Sequence, residues 1–73
     1  MNKTEFQEKF RKDLRGKKNK WLFLQYNVND KDIRLKIWNN WSQIFTINGR
    51  TVGMPMEITQ KELIQRVSDK IYD

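Results

Sequence analysis

The sequence predicts an α+β domain with the order helix, three strands, a short fourth strand and helix. Three observations carry this prediction. Apolar residues recur at helical spacing near both ends of the chain, apolar and polar residues alternate from Trp21 to Ile47, and turn-forming pairs separate the alternating segments. Because short turns join consecutive strands, we expect an antiparallel meander with both helices packed on one face.

The first helix is predicted from about Thr4 to Arg15. Thr4 and Gln7 have the spacing of a capping box, and Gly16 is suited to end the helix. Its apolar stripe consists of Phe6, Phe10 and Leu14. A basic connector follows, and its lysines are Lys17, Lys18 and Lys20. This connector is either a solvated loop or a phosphate-binding segment, and the sequence leaves both interpretations open.

The strands are placed by the turns between them. Asparagine, aspartate and glycine favour the positive φ angles of two-residue hairpin turns. The predicted turn centres are Asp30-Lys31, Asn39-Asn40 and Asn48-Gly49. A short fourth strand is expected from Arg50 to Gly53, because Pro55 cannot donate to a strand ladder.

This register gives the predicted sheet two different faces. Val28 is expected opposite Ile33, and Leu35 opposite Ile44. The face towards the helices is apolar and comprises Leu22, Leu24, Tyr26, Val28, Ile33, Leu35, Ile37 and Ile44. The other face mixes rings with polar and basic groups and comprises Trp21, Phe23, Arg34, Lys36, Trp38, Trp41, Gln43 and Phe45. Arg50 adds a cation near it.

The second helix has the clearest predicted start. Thr59 and Glu62 form a capping box, and Ile58 with Leu63 has the spacing of a hydrophobic staple. The apolar stripe of this helix consists of Leu63, Ile64, Val67 and Ile71. Both helical stripes would then pack on the apolar face of the sheet.

The face with the rings and cations allows three interpretations. The termini or a different register could make Trp21, Phe23 and Phe45 part of the core. Two copies of the chain could pair face to face or edge to edge, forming a homodimer rather than a monomer. The face could also bind a partner, with rings stacking on bases or filling protein pockets while Arg34, Lys36 and Arg50 supply charge.

Composition limits the function classes. The chain has 73 residues, which predicts one domain spanning residues 1–73. It has no cysteine and no histidine, so we expect no enzyme activity, no metal site and no cofactor. The net charge of +6 favours an anionic partner. No apolar run suits a membrane span or a signal peptide, so a cytoplasmic location is expected.

The order of helix, three strands and helix resembles that of double-stranded-RNA-binding domains. In that family a lysine cluster at the start of the second helix binds phosphates. Here Thr59-Gln60-Lys61-Glu62 offers one lysine beside an acid, and Asp30 and Asp32 would be repelled by phosphates in the loop that enters the minor groove. Duplex RNA is therefore not the expected partner.

The stretch from Trp41 to Gly49, followed by Gly53-Met54-Pro55-Met56-Glu57, resembles a pattern in small uncharacterised phage accessory proteins. That resemblance implies a protein that occupies a surface of a host machine, as anti-CRISPR proteins do. Because the chain is basic, it cannot imitate DNA as acidic inhibitors do. The expected partner is a host protein, or a protein and nucleic-acid complex, with an acidic surface.

These observations predict a non-enzymatic viral inhibitor of a host defence complex that acts in the host cytoplasm. Its expected contact surface is the face with the rings and cations. The alternative is a module that binds single-stranded RNA or DNA. In that case Trp21, Trp38, Trp41 and Phe45 would stack on bases, while Lys17, Lys18, Lys20, Arg34 and Lys36 would follow the phosphates.

Overall fold

The computed structural model describes residues 1–15, 21–38 and 41–73. The chain has an α+β fold, and the sheet is an antiparallel meander with the strand order β1-β2-β3-β4. The elements are α1 (Lys3–Leu14), β1 (Leu22–Val28), β2 (Lys31–Ile37), β3 (Gln43–Ile47), β4 (Arg50–Thr51) and α2 (Gln60–Tyr72). This confirms the predicted fold class. Neither helix in the described ranges has the length and apolar character needed to cross a membrane.

The helix α1 begins one residue earlier than predicted and has a different cap. The Asn2 side chain accepts a hydrogen bond from the backbone N–H of Glu5 at 2.8 Å, and the Glu5 carboxylate accepts one from the backbone N–H of Asn2 at 3.0 Å. The predicted Thr4–Gln7 capping box was wrong, because asparagine is the stronger N-cap. The predicted stripe is buried and consists of Phe6, Phe10 and Leu14. Gly16 lies outside the described residues.

The predicted N-cap of α2 is confirmed, but only one half of the predicted Thr59–Glu62 capping box is present, because the Glu62 carboxylate pairs with Arg66. Thr59 is the N-cap, and its hydroxyl oxygen accepts a hydrogen bond from the backbone N–H of Glu62 at 3.1 Å. Ile58 packs against the core just before the cap. The predicted apolar stripe is buried and consists of Leu63, Ile64, Val67 and Ile71.

The two helices run antiparallel beside each other. Gln7 donates a hydrogen bond to the hydroxyl oxygen of Ser68 at 2.8 Å, and Lys3 lies 2.6 Å from Asp69. The start of α1 is therefore next to the end of α2. The hydrogen bond between Lys3 and Asp69 raises the pKa of Lys3 and lowers the pKa of Asp69, so both charged forms are favoured in the folded protein.

The turn between β1 and β2 lies one residue earlier than predicted. Asn29 and Asp30 both have positive φ, 51° and 63°, and Val28 pairs with Lys31. The prediction of Asp30-Lys31 as the turn centre was wrong, because asparagine and aspartate tolerate this backbone conformation better than lysine. The resulting shift is two residues, so each side chain of β1 and β2 keeps its predicted face.

The connection between β2 and β3 differs from the prediction in a more important way. The backbone N–H of Trp38 donates to the carbonyl oxygen of Ser42 at 2.8 Å, so three residues separate this pair rather than two. Trp41 is the last of them and has a φ of 66°. The predicted turn centre, Asn39-Asn40, lies outside the described residues. The additional residue shifts β3 by one position, and Leu35 pairs with Phe45 instead of Ile44.

The turn between β3 and β4 is as predicted. Asn48 and Gly49 have φ angles of 52° and 81°, and Ile47 pairs with Arg50. These angles fit the type I′ turn that joins strands of right-handed twist. The fourth strand is shorter than predicted, because Arg50–Thr51 pairs and the chain leaves the sheet before Gly53.

Both helices pack on one face of the sheet and form one apolar core with it. Its strand residues are Tyr26, Val28, Ile33, Leu35, Ile37 and Phe45. Two polar contacts fix the helices on this face: Tyr26 donates to the Asp13 carboxylate at 2.6 Å, and Lys31 donates to the carbonyl oxygen of Ile71 at 3.1 Å. The second contact satisfies a carbonyl at the negative end of α2. The opposite face of the sheet is left open by both helices.

Candidate binding surface

The face of the sheet turned away from the helices is called here the open face. Side chains directly opposite each other in paired strands share a face, so the register defines its rows. Phe23, Lys36 and Ile44 form one row across three strands. Gln25, Arg34, Thr46 and Thr51 form the next row. Trp21 and Trp38 flank the strand ends on this face.

Three rings and one ammonium group gather at one end of the open face. The Nζ atom of Lys36 lies 4.1 Å from the ring centroid of Trp21, 5.4 Å from that of Phe23 and 5.7 Å from that of Trp38. The Trp21 ring centroid is 5.9 Å from that of Phe23 and 5.2 Å from that of Trp38. These distances permit cation–π attraction to each ring. We call these four residues the aromatic–lysine cluster.

The cluster forms because side chains two residues apart in a strand lie on the same face. Trp21 lies two residues before Phe23, and Trp38 lies two residues after Lys36, so each pair shares a face. Phe23 and Lys36 pair directly across β1 and β2. The lysine side chain is long enough to reach from β2 over the rings carried by β1, and its methylene groups can cover their apolar surface.

Much apolar area on the open face is exposed. Phe23 is 67% exposed, Trp21 is 54% exposed and Ile44 is 47% exposed. Isolated exposed hydrophobic residues are common on protein surfaces, but contiguous ones mark interaction sites. Phe23 and Ile44 occupy one row with Lys36 between them, and Trp21 contacts Phe23, so the exposed area is contiguous.

The other end of the open face is polar. The Arg34 guanidinium lies 3.1 Å from the Asp32 carboxylate, and Gln25 donates to the same carboxylate at 3.2 Å. Between the two ends lies a shallow groove of about 330 Å³. Its open-face lining consists of Phe23, Gln25, Arg34, Lys36, Ile44 and Thr46. The face therefore offers an apolar end with one cation and a polar end with a paired arginine.

The structure brings together only some of the predicted binding residues. Trp21, Phe23, Lys36 and Trp38 form the cluster, and Arg34 lies on the same face. The shift of β3 moves others to the helix side, so their predicted placement was wrong. Phe45 is 0% exposed and belongs to the core, Trp41 packs against the core, and Gln43 donates to the carbonyl oxygen of Pro55 at 2.7 Å.

Two further groups of predicted residues do not belong to the cluster. Arg50 pairs with Ile47, a residue that packs against the core, so its side chain leaves the sheet on the helix side. Lys17, Lys18 and Lys20 lie outside the described residues. Conversely, the sequence reasoning placed Ile44 in the core, whereas it contributes exposed apolar area to the open face. Whether Ile44 faces the helices or the open face depends on the number of residues in the preceding turn, and the sequence pattern does not determine that number.

Tyr26, on the helix side of the sheet, has a pKa above its ordinary value. Burial raises the pKa of the Tyr26 hydroxyl, and the hydrogen bond to Asp13 and its negative charge raise it further. Within residues 1–15, 21–38 and 41–73, no group of three or more acidic side chains could hold a metal ion. What the open face offers is contact by rings, an ammonium group and hydrogen bonds.

Comparison with known proteins gave no relative: no protein-family model, no curated protein and no solved structure matches the chain.

Proposed function

We propose that the chain is a non-enzymatic binding protein that attaches to an acidic surface of a partner protein through the aromatic–lysine cluster. The supporting observation is the exposure of Trp21 and Phe23 around the Lys36 ammonium group. Tryptophan and other large anchors dominate the energy of protein interfaces when a partner covers them. The lysine between them would select a partner that carries carboxylates there.

The charge distribution supports a protein partner more than a nucleic acid. On the described part of the open face, Lys36 and Arg34 are the cations, and Arg34 is already paired with Asp32. A surface that follows a phosphate backbone needs several available cations in a row. Here the exposed area is mainly apolar, which suits anchors that fill pockets in a protein.

The class of partner is suggested by the resemblance of two stretches, from Trp41 to Gly49 and from Gly53 to Glu57, to small phage accessory proteins. We extend the proposal accordingly: the chain inhibits a host defence complex of the anti-CRISPR type, in the cytoplasm of the infected cell, by covering a working surface. Two features agree with this extension. The chain is small, and its net charge of +6 would draw it to an acidic protein surface of such a complex.

The proposal is tested by phage plating on a bacterium that carries a CRISPR nuclease programmed against that phage. Expression of the wild-type chain should raise plating efficiency by orders of magnitude. The Trp21→Ser, Phe23→Ser double variant should lose this effect while remaining folded, because both rings are exposed in the free protein.

Met56→Ser is the matched control, because Met56 is 73% exposed but lies between β4 and α2 rather than on the open face. This variant should protect the phage as well as the wild type does. Equal protection by the double variant would exclude the aromatic–lysine cluster as the contact surface. Absence of protection by the wild type, across nucleases of several classes, would exclude the proposed inhibitor role.

A second candidate function is the binding of single-stranded nucleic acid. The observation that favours it is the presence of exposed rings beside a lysine on a sheet face that no helix covers. Aromatic residues on such a face can stack on unpaired bases. The two functions predict different effects of the Trp21→Ser, Phe23→Ser substitutions on oligonucleotide binding.

A further inference from the structure

The strand β1 forms an edge of the sheet and carries few of the features that normally block edges. It pairs with β2 on one side, and no other strand in the described ranges pairs with it. Its seven residues, Leu22–Val28, include no charged residue, no proline and no glycine. Proteins usually protect edges with lysines, prolines, bulges or very short strands. The other edge of this sheet, β4, has only two residues.

The hydrogen-bonding pattern shows which backbone groups of β1 point outwards. Asn48 donates to the carbonyl oxygen of Asp32 at 2.8 Å, and Trp38 donates to that of Ser42 at 2.8 Å. Asp32 of β2 and Trp38, the residue after β2, therefore direct their backbone groups towards β3. Backbone groups alternate along a strand, so the odd-numbered residues of β2, including Ile33 and Leu35, face β1.

The register then assigns the free groups. Leu24 pairs with Leu35 and Tyr26 pairs with Ile33, so Leu24 and Tyr26 hydrogen-bond to β2. The intervening residues of β1 direct their N–H and C=O groups to the free edge: these are Phe23, Gln25 and Asn27. The edge thus presents three donors and three acceptors at the spacing of an antiparallel or parallel ladder.

Lys36 places a positive charge close to this edge. It belongs to β2, but its Nζ atom lies 4.1 Å from the ring centroid of Trp21 and 5.4 Å from that of Phe23. The side chain therefore leans across β1. Among the described residues, no carboxylate forms an ion pair with Lys36. A side chain on an added strand could reach this ammonium group from the edge.

We infer that the free edge of β1 accepts an extended acidic segment of the partner protein as an added strand, with a carboxylate of that segment paired to Lys36. The inference rests on the proposed function and specifies how the partner binds. Backbone hydrogen bonds would supply affinity. Alternate side chains of the added strand would contact the aromatic–lysine cluster and supply specificity. An added strand of matching length would cover roughly 23 Å of edge.

Charge favours an acidic segment over a second copy of this chain. A copy of β1 carries no carboxylate to pair with Lys36, and each copy has a net charge of +6, so the two molecules repel each other. An acidic segment removes this repulsion and supplies the missing partner of the ammonium group. The experiment below distinguishes self-association through β1 from binding of an acidic segment.

The direct test is amide hydrogen exchange by NMR, with the peptide (Glu-Thr)4 as the probe and (Lys-Thr)4 as its control. In the free protein the amides of Phe23, Gln25 and Asn27 should exchange fast, while those of Leu24 and Tyr26 exchange slowly. Saturation with (Glu-Thr)4 should slow the first three amides by at least about tenfold. The lysine peptide should not slow them.

Two pairs of variants identify the contacts. Gln25→Pro removes an outward N–H at a position where an edge strand tolerates proline, and it should abolish binding of (Glu-Thr)4. Gln25→Thr keeps the N–H and should bind normally. Lys36→Gln should weaken binding by roughly three- to tenfold, whereas Lys61→Gln, an exposed change on α2, should have no effect.

Three outcomes would overturn the inference. The first is failure of (Glu-Thr)4 to slow any of the three amides. The second is equal protection by both peptides, which would remove Lys36 from the mechanism. The third is protection that increases with protein concentration when no peptide is present, which would identify a second copy as the occupant. If the plating assay succeeds and the exchange test fails, the open face binds the partner without an added strand.

Discussion

At the scale of single residues, Tyr26 connects the helix α1 to the sheet and makes stability depend on pH. The residue is 6% exposed, its ring contacts Phe6 and Phe10, and its hydroxyl donates to Asp13 at 2.6 Å. Burial, followed by the interaction with Asp13, raises the pKa of Tyr26. The folded protein therefore favours the neutral phenol more strongly than the unfolded chain does.

The sign of the pH dependence follows from this shift. The stabilisation is complete below the ordinary tyrosine pKa of about 10 and is lost as the pH rises above it, because the unfolded chain then ionises first. We expect Tyr26→Phe to reduce the free energy of unfolding by about 1 kcal/mol at pH 7. The difference between wild type and variant should shrink above about pH 10. Urea unfolding at pH 7 and pH 11 measures both values, and a constant difference would contradict the assignment.

The surroundings of Lys36 could be predicted in part from the sequence. Side chains alternate between the two faces along each strand, which predicted that Trp21, Phe23, Lys36 and Trp38 share one face. The structure brings these four together. The prediction survived an incorrect turn because an error of two residues preserves the face of every side chain. The distances to the rings, in contrast, depend on side-chain conformations that a sequence pattern does not specify.

At the scale of elements, the helices were the most predictable part of the fold. Each apolar stripe consists of residues whose spacing matches the helical period, and all of them are buried. The N-cap of α2 was predicted correctly, since Thr59 lies one helical turn before the first stripe residue, Leu63. The cap of α1 was not, because Asn2 and Thr4 both have an acceptor side chain and a suitable residue three positions later.

The register of β3 is the element that the sequence could not determine. A three-residue connection with Trp41 in the left-handed region replaces the expected two-residue turn. A positive φ is unusual for a residue with a bulky side chain, so the backbone preference of tryptophan disfavours the observed turn. Burial of Phe45 and the packing of Trp41 against the core favour the observed register. Tertiary packing therefore overrides the local preference.

This register gives a prediction for two neighbouring residues. Phe45→Ala should lower the free energy of unfolding by about 3–5 kcal/mol, because it removes a fully buried ring from the core. Ile44→Ala should cost less than about 1 kcal/mol, because that side chain is nearly half exposed. Chemical denaturation of the two variants measures both changes. The opposite order of the two losses would restore the register predicted from the sequence.

At the scale of the whole molecule, the net charge of +6 makes some attraction to nucleic acid unavoidable. We expect weak binding to a single-stranded oligonucleotide at low salt and a log-linear loss of affinity as salt increases. The proposed protein-binding function predicts that the Trp21→Ser, Phe23→Ser variant binds the oligonucleotide as the wild type does.

The nucleic-acid function predicts a different result for the same variant. Stacking of bases on aromatic residues contributes about 1–3 kcal/mol per base, so loss of two rings should weaken oligonucleotide binding by at least about tenfold. Fluorescence anisotropy across a salt series provides the measurement. Met56→Ser serves again as the matched control, since it removes an exposed apolar side chain outside the open face.

The central claim, that the open face is the contact surface, is tested most directly by a comparative capture experiment. Wild type, Met56→Ser and the Trp21→Ser, Phe23→Ser variant are immobilised and exposed to nuclease-treated lysate of a bacterium in which the wild type protects phage. All three should unfold within a few degrees of one another, because the substituted side chains are exposed. We predict that wild type and Met56→Ser retain the same defence protein and that the double variant does not. Retention of that protein by a folded double variant would contradict the account.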